Sequence, residues 1–403
     1  MTRAKYIILG AGPAGLSFAA TLLMLGEHSF IVLEQESEVG GLCRSTEVDG
    51  APLDIGGGHF LEKRPDVLGF LFRFMPASEW DEYARRSTIL LHGKEVDYPL
   101  EANLWQLPVS DQVGFLESIA EAGSVRGTPM PESFEEWITW KLGSRIAEEY
   151  MLPYNSKIWS VPLDELGTYW LHKLPTVSFR DTLQSCLERR PFAKVPAHAA
   201  FLYPKHHGCG EVWTRIGREL GDRLVLNTLV TSIDPKRRVV NEAYQGDLIV
   251  TTIPWHTWLE GSLVPDPVRA GVRQLRYASI DVDYCPEPCP STAHWVYEPD
   301  PRRAYHRILN RGQFCRGARG YWTETNSARA EAPLGWRHRN EYAYPLNTRT
   351  KPQAVESLCA WARTHHMLPL GRWGIWEHMN SDVAILAGIA AAEECVAKEG
   401  IHR

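Results

Sequence analysis

The apolar residues of the N-terminal segment fall into short runs separated by glycine-rich breaks. The run at 6–9 (YIIL) predicts a buried strand, a tight turn follows it, and a helix is predicted from about Pro13. The run at 29–35 (SFIVLEQ) predicts a second strand. Further along, 247–254 (DLIVTTIP) predicts an apolar strand ended by proline, and an alanine-rich helix is predicted to start near Asp382. This alternation indicates an α/β fold class.

The first turn carries the glycine spacing G-x-G-x-x-G. Gly10 would make the turn, Gly12 would let the backbone approach a pyrophosphate, and Gly15 would let the helix pack on the strand. The N–H groups at the start of the helix would then face the phosphate. Glu34, at the end of the second strand, can hold both ribose hydroxyls. The pattern predicts a dinucleotide site, with an incidental glycine-rich turn as the alternative.

Two further glycine-rich stretches favour FAD over NAD as the dinucleotide. The segment 38–45 (EVGGLCRS) brings a glycine pair and an arginine just past the ribose carboxylate, and 53–61 (LDIGGGHFL) brings another glycine run ending in a histidine. The predicted cofactor-binding residues are Gly10, Gly12, Gly15, Glu34, Gly40, Gly41, Arg44, Gly57, Gly58, His59 and Asp382.

Composition narrows the class of protein. A chain of 403 residues with 44% hydrophobic and 23% charged residues can bury a large core, and two or three subdomains sharing a cleft are expected. The formal net charge of −6 argues against a general nucleic-acid binder, so an anionic ligand would meet local Arg and Lys side chains. The eight cysteines are scattered and predict free thiols and no metal site. We expect neither a signal peptide nor a membrane span, and therefore a cytoplasmic protein.

These motifs resemble the large FAD-binding family that includes amine oxidases, protoporphyrinogen oxidases and UDP-galactopyranose mutases. The resemblance is greatest to the mutases and runs over nearly the whole length, through the segments 56–60 (GGGHF), 93–108, 133–162, 294–308, 342–348 and 371–376 (GRWGIW). It implies a discontinuous Rossmann-like FAD-binding domain (1–83, 197–275 and 370–403). It also implies a helical substrate-binding insertion (109–196) and a substrate domain with an antiparallel sheet (84–108 and 276–369).

The segment 150–162 (YMLPYNSKIWSVP) is an aromatic platform that an amine oxidase would not need. In the mutases it carries the base of a nucleotide sugar, and stacking a base on an aromatic ring contributes about 1–3 kcal/mol. By this resemblance Tyr154 and Trp159 would stack the base and Asn155 would hydrogen-bond its edge. The alternative is that these aromatic residues only pack helices. The full predicted substrate-binding set is Arg85, Tyr98, Glu101, Tyr154, Asn155, Trp159, Lys173, Trp295, Tyr297, Arg307, Tyr344 and His378.

The resemblance implies an isomerase that requires reduced FAD and interconverts the pyranose and furanose forms of a nucleotide-linked sugar without net redox change. The reaction would pass through a covalent adduct between the flavin N5 atom and the sugar. His59 beside the flavin, Arg307 on the diphosphate and Arg372 near sugar and flavin are the implied catalytic residues. NADPH or another reductant would reduce the flavin. An FAD-dependent amine oxidase or dehydrogenase is the alternative function, and the oligomeric state is open, with a homo-oligomer among the alternatives.

Several positions depart from the mutase pattern. Glu101 replaces a glutamine near the base, so an amino-bearing base is an alternative to uracil and the nucleotide (UDP, CMP, GDP or dTDP) stays open. Lys173 stands near the place of an arginine, and His378 stands where a tyrosine is usual. The turn near 208 keeps only Gly208 and Gly210 of its glycines. The identity of the sugar therefore stays open as well.

Overall fold

A computed structural model describes residues 1–56, 64–171, 177–192, 200–333 and 335–400 of the chain. At positions 399 and 400 it describes the backbone alone. The strands are β1 (Thr2–Leu9), β2 (Phe30–Leu33), β3 (Ser45–Val48), β4 (Ala51–Asp54), β5 (Trp80–Ala84), β6 (Ser87–Leu91), β7 (Lys94–Asp97), β8 (Ala200–Pro204), β9 (Leu224–Val225), β10 (Ile233–Asp234), β11 (Val239–Val240), β12 (Tyr244–Thr251), β13 (Tyr277–Cys285), β14 (Trp295–Tyr297), β15 (Arg307–Leu309), β16 (Tyr321–Asn326), β17 (Arg337–Pro345) and β18 (Met367–Pro369).

The helices are α1 (Pro13–Met24), α2 (Pro65–Leu71), α3 (Leu100–Asn103), α4 (Val109–Ala120), α5 (Gly123–Arg126), α6 (Phe134–Ile146), α7 (Leu152–Trp159), α8 (Phe179–Glu188), α9 (Gly210–Leu220), α10 (His256–Leu259), α11 (Asp266–Arg273), α12 (Lys351–Thr364), α13 (Gly371–Gly374) and α14 (Ser381–Gly400). A π-helical turn, Ala147–Met151, leads directly into α7. No helix of the described residues is long and apolar enough to cross a membrane.

The first sheet is the parallel core of the fold. Its strand order is β10-β11-β12-β1-β2-β9, and β18 adds to β12. The strands β12, β1, β2, β9 and β18 run parallel, whereas β10 and β11 form an antiparallel edge. Both faces of the sheet are covered, which explains why β1 reads as a continuous apolar run. Helices α1, α9 and α14 pack on one face and α11 and α12 on the other.

The N-terminal, middle and C-terminal parts of the chain meet in this sheet and its helices. Strand β1 lies between β12 and β2, and α1 packs along α14. This close approach depends on Gly388, because a Cβ atom there would lie 2.6 Å from the Ala14 carbonyl oxygen. The domain boundaries stay a prediction, and β18 lies just before the predicted C-terminal segment.

The second sheet has the strand order β17-β13-β16-β15-β14-β6-β7 and is antiparallel except for the pair β14–β6. Strands β3 and β4 form one hairpin and β5 pairs with β8. Side chains of these four strands pack on Trp295 and Trp322 of the second sheet in one hydrophobic cluster. The second sheet is thereby attached to the segment that follows the glycine turn.

Helices α4 and α6 pack on strands β6 and β7, which lie at one end of the second sheet. Phe115 of α4 and Ile146 of α6 share a core with Ile89 of β6 and Val96 of β7. Helix α6 begins at an N-cap, since the Ser133 hydroxyl accepts a hydrogen bond from the Glu136 N–H. The same core continues through Tyr150 to Tyr154 on α7, which brings the segment 150–162 against the sheet.

Candidate functional site

The glycine turn between β1 and α1 forms a cradle with two different kinds of glycine. Gly10 has a φ of +96°, which favours glycine, and a Cβ atom on Gly15 would overlap the Gly10 carbonyl oxygen. These two positions are closed by the protein itself. A Cβ atom on Gly12 would meet nothing nearer than the Gly41 Cα atom at 4.0 Å. The backbone at Gly12, where α1 begins, is therefore open on the side of the cradle.

The Glu34 carboxylate closes one end of this cradle. It accepts hydrogen bonds from the Ala11 N–H at 2.7 Å and the Glu36 N–H at 3.0 Å. Glu34 is 8% exposed, and burial is the main cause that raises the pKa of its carboxyl group. In the part of the chain that the structure describes, no cation lies within ion-pair distance of it. Arg44, on the other side, donates to the Gly41 carbonyl at 3.1 Å and to the Glu36 carboxylate at 3.1 Å.

Arg307 lies at the centre of a second group of predicted residues. It faces Glu324 across strands β15 and β16, and its Nε and Nη2 atoms both donate to the Glu324 Oε2 atom, the former at 2.8 Å. The Arg307 side chain is 14% exposed and that of Glu324 is 1% exposed. Burial by itself would lower the pKa of Arg307, but Glu324 and the surrounding tyrosines raise it well above its usual value. Among described residues its Nη1 atom has no partner, so one edge of the guanidinium is available to an anion.

Tyr297 is the cross-strand partner of Arg307 in the β14–β15 pair, and it contacts several of the predicted residues. The Tyr297 hydroxyl accepts a hydrogen bond from Arg85 Nη2 at 3.2 Å, and its ring lies 5.2 Å from the ring of Tyr98 and 5.5 Å from that of Tyr154. The Arg85 guanidinium in turn lies 4.1 Å over the Trp295 ring.

Tyr344 contacts Arg307 and two further predicted residues, Trp159 and His378. Its hydroxyl accepts a hydrogen bond from Arg307 Nη2 at 3.3 Å. Its ring lies 5.9 Å from that of Trp159 and 5.4 Å from that of His378. Burial raises the pKa of Tyr344, so that the hydroxyl stays protonated and can donate to an anionic oxygen.

Arg372 joins the tyrosine group to the glycine cradle. Its guanidinium carbon lies 5.9 Å from the Tyr344 ring, and its N–H groups donate to the carbonyls of Ala343 and Met379 at 2.6–3.2 Å. Within the described ranges it forms no ion pair, and burial lowers its pKa. The charge of Arg372 also affects the buried thiol of Cys43, two residues after Gly41. Burial raises the pKa of this thiol to about 12, and the positive charge of Arg372 acts in the opposite direction. A half-buried cation thus lies between the two halves of the site.

Comparison with protein families decides the family. The model of the flavin containing amine oxidoreductases matches residues 13–282, which is more than half of the chain. This chain belongs to the flavin containing amine oxidoreductase family.

Solved structures that resemble this family member share its fold over nearly the whole chain. A reduced UDP-galactopyranose mutase superposes with a TM-score of 0.87 at 23% identity, covering 98% of this chain and 94% of that one. A putrescine oxidase variant superposes with a TM-score of 0.65 at 14% identity, covering 98% and 99%. Cyclohexylamine oxidase from Brevibacterium oxydans IH-35A gives 0.64 at 16% identity, covering 97% and 99%. At these identities the likeness establishes the fold.

Two curated relatives match over short segments. Putrescine oxidase from Kocuria rosea is 51% identical over 65 residues, which are 16% of this chain and 13% of that protein. An uncharacterized protein from the nifH2 3' region of Methanothermococcus thermolithotrophicus is 46% identical over 52 residues, 13% of this chain and 49% of that protein. The matches cover less than two thirds of either relative.

The glycine turn and Glu34 fit the adenosine and pyrophosphate part of FAD. The open backbone at Gly12 leaves room for a pyrophosphate at the start of α1, where no side chain of the described residues caps the helix. The buried Glu34 carboxylate, without a nearby cation, suits the hydroxyl donors of a ribose. Asp382, in the first turn of α14, is buried and lies 3.4 Å from Arg64. Gly57, Gly58 and His59, predicted to approach the flavin, lie outside the described residues, as does Lys173.

The two residues predicted to stack a base contact different tyrosines. Tyr154 packs with Tyr297, whereas Trp159 packs with Tyr344, and their role toward a base stays a prediction. The Asn155 amide donates to the Met151 carbonyl at 2.7 Å and accepts from Trp159 Nε1 at 3.0 Å. Its oxygen is thus already bonded inside α7, and its role toward a base stays a prediction. Glu101 is half-buried beside the tyrosines; burial raises its pKa, and it has no side-chain hydrogen bond to a described residue.

Three buried charged or polar residues of the site were missed from the sequence. Glu324 holds Arg307, His306 lies with its Nε2 atom 3.7 Å from the Glu324 carboxylate, and Lys157 donates from α7 to the loop after Tyr297. Glu324 lies two positions after Trp322 on β16 and shares its face of the strand, but a strand pattern cannot tell which residue it opposes. In the sequence each of the three residues stands among polar as well as aromatic or apolar residues, so no local pattern marked it.

Proposed function

We propose that this flavoenzyme is a nucleotide-sugar mutase that interconverts the pyranose and furanose forms of a sugar attached to a nucleotide, with no net redox change. One observation carries the proposal. Arg307 is the cross-strand partner of Tyr297 and donates a hydrogen bond to the Tyr344 hydroxyl, and the rings of these two tyrosines contact Tyr154 and Trp159 of α7. A guanidinium beside two tyrosines and further aromatic faces matches a diphosphate joined to a base.

The roles of the protein groups follow from their chemistry. Arg307 would hold the diphosphate as it separates from the sugar, because its charge is available along one edge and its other edge is fixed by Glu324. Tyr297 and Tyr344 would donate hydroxyl protons to the same oxygens. Arg372, half-buried between the tyrosines and the cradle, would stabilise negative charge next to the flavin. When bound, the reduced flavin would supply the electron pair that displaces the nucleotide from the anomeric carbon.

The base of the nucleotide is a separate proposal. Glu101 offers a carboxyl group that no described side chain engages, near the ring of Tyr98 whose pKa it affects. A carboxylate can accept a hydrogen bond from an exocyclic amine, so it suits an amino-bearing base better than uracil. Thermal-shift measurements with UDP, CMP, GDP and dTDP ligands would compare the wild type with Glu101→Gln. A selective loss for the amino-bearing ligand is expected, and an equal effect on all four would contradict this assignment.

A second candidate is an amine oxidase or dehydrogenase. The short match to putrescine oxidase and the folds of two amine oxidases favour it. The two functions differ in a simple property. An oxidase works from the oxidised flavin and consumes oxygen, whereas a mutase needs the reduced flavin and consumes no oxidant, because substrate and product are isomers.

The test uses the purified yellow protein, reduced anaerobically with dithionite and supplied with UDP-galactopyranose and the corresponding nucleotide hexoses. Conversion to furanose is followed by chromatography, and oxygen uptake and peroxide are measured in parallel with putrescine and cyclohexylamine. We expect isomerisation by the reduced form alone. Turnover of an amine with peroxide release, and no isomerisation, would favour the second candidate.

A matched pair of arginine variants links the activity to the site. Arg307→Met should lower kcat/KM by about 100- to 1,000-fold, the usual cost of removing one electrostatic group at a developing charge. Arg302→Met, in the same hairpin but with an 87% exposed side chain, should retain the wild-type rate. Equal losses in the two variants would argue against a special role of Arg307.

A further inference from the structure

Lys157 is a buried cation that none of the roles above uses. It lies on α7 with 1% of its surface exposed, and its ammonium group donates to the carbonyls of Glu298 at 2.7 Å and Asp300 at 2.9 Å. No carboxylate of the described residues lies within ion-pair distance. Burying an ammonium without a counter-ion is costly, and burial lowers the pKa of Lys157 to about 8. A methionine would fill the same volume at lower cost.

The two carbonyls belong to the loop that joins the residues gripping the proposed diphosphate. Strand β14 ends at Tyr297 and β15 begins at Arg307, and these two residues are cross-strand partners. The loop between them, 298–306, closes through a hydrogen bond from the Glu298 N–H to the His306 carbonyl at 2.9 Å. Holding the carbonyls at 298 and 300 therefore fixes the base of the hairpin on which Tyr297 and Arg307 stand.

Lys157 shares its face of α7 with a residue of the aromatic platform. Tyr154 precedes it by three positions, so both side chains project from neighbouring points of the helix. Tyr154 contacts the rings of Tyr297 at 5.5 Å and His306 at 6.2 Å, the two ends of the same hairpin. The helix thus contacts the hairpin through the two ring contacts of Tyr154 and through Lys157, whose ammonium group makes the pair of hydrogen bonds and lies 5.8 Å from the Tyr305 ring.

We propose that Lys157 is a positioning residue of the nucleotide-sugar site: its ammonium group ties α7 to the 298–306 loop and so sets the separation between the aromatic platform and the Tyr297–Arg307 pair. The inference rests on the proposed function. A base and a diphosphate within one ligand have a fixed spacing, so the surfaces that bind them need a rigid connection. Two hydrogen bonds from one charge to two carbonyls of the same loop supply direction that a ring contact lacks.

The experiment compares the flavin-loaded full chain with Lys157→Met, Lys157→Arg and the control Lys236→Met, a lysine in the exposed turn between β10 and β11. Hydrogen exchange of peptides spanning 298–306 is measured without nucleotide. Dissociation constants for UDP, CMP, GDP and dTDP are measured by titration, together with the flavin absorbance spectrum and flavin content.

We expect Lys157→Met to speed exchange in 298–306 and to weaken the best-bound nucleotide by about 10- to 100-fold, the value of one or two charged hydrogen bonds, while flavin content is unchanged. Lys157→Arg keeps donors and charge and should recover most of that affinity. Lys157→Gln, which keeps a neutral donor, replaces the methionine variant if the latter fails to fold, and should speed exchange in 298–306 and weaken nucleotide binding by about tenfold.

Two different failures are distinguishable. Unchanged exchange and unchanged nucleotide affinity in Lys157→Met would overturn the positioning role alone, as would parallel losses of flavin and nucleotide, which mark general destabilisation. If the wild type binds none of the four nucleotides, the proposed function fails instead.

Discussion

At the scale of single residues, the site is built from buried charges that other residues satisfy. Glu324 neutralises Arg307, backbone N–H groups bind Glu34, and carbonyl groups accept from Lys157 and Arg372. Each such group costs free energy to desolvate, and fixed partners return only part of it. Their concentration between the cradle and the tyrosines is typical of a site that has to bind charge.

The stability of the protein toward acid should depend on His306. Burial, followed by the charges of Arg307 and Lys157, holds the pKa of this imidazole well below its usual 6.5. Below pH 6.5 the His306 imidazole therefore binds a proton in the unfolded chain but not in the folded protein. The free energy of unfolding, which is highest above pH 6.5, consequently decreases as the pH falls. The slope is about 1.4 kcal/mol per pH unit for one group.

The measurement is the free energy of unfolding of the wild type and of His306→Gln at pH 7.5, 6.5 and 5.5. The wild type should lose stability relative to the variant between pH 6.5 and 5.5 by about 1 kcal/mol. The exposed His28→Gln serves as the control and should follow the wild type. Parallel curves for wild type and His306→Gln would show that His306 titrates normally.

At the scale of elements, the first strand, turn and helix separate packing from binding. Gly15 is required because helix α1 passes directly against the turn, whereas Gly12 has free space around its missing side chain. The same six-residue pattern therefore includes a glycine for the fold, Gly15, and a glycine for the ligand, Gly12.

We expect substitution of Gly12 to affect flavin affinity and substitution of Gly15 to affect stability. Gly12→Ala should fold with a thermal midpoint near that of the flavin-free wild type, but lose flavin affinity by tenfold or more, on the order of 1.4 kcal/mol, because the new methyl group occupies the approach to the helix. Gly15→Ala should lower the thermal midpoint itself. Gly69→Ala, in α2 with nothing within 4 Å, is the control and should be neutral or stabilising by up to about 1 kcal/mol. Normal flavin content in Gly12→Ala would contradict the assignment of the cradle.

At the scale of the whole molecule, the two halves of the site are held together by polar contacts between the sheets. Arg311 is fully buried and donates to the carbonyls of Val48, Ala51 and Pro52 on the β3–β4 hairpin, while its other nitrogens bond the carbonyl of Arg319. A second contact runs from the Asn340 amide to the Ile55 carbonyl at 2.6 Å. These bonds connect the segment following the cradle to the sheet that carries Tyr297 and Arg307.

Removing the Arg311 connection should destabilise the whole protein. Arg311→Met removes the hydrogen bonds that three carbonyls of the β3–β4 hairpin and the Arg319 carbonyl accept from the guanidinium, and we expect a loss of about 3 kcal/mol or more in unfolding free energy. Arg316→Met, on the same segment with a half-exposed ion pair to Asp81, should cost less than about 1 kcal/mol. Chemical denaturation of both variants provides the comparison, and similar losses would mean that the buried bonds have no special weight.

The sequence alone determined the family resemblance, the α/β class, the first strand–turn–helix unit and the identity of most residues that meet around Arg307. These follow from patterns that are local, because glycine spacing and apolar runs report backbone geometry within one element. The partnership of Arg307 with Glu324, the tie from Lys157 to a loop 141 residues away and the bridging place of Arg372 were decided only by the tertiary structure. Strand register and helix docking bring distant charges together, and burial then changes what those charges can do.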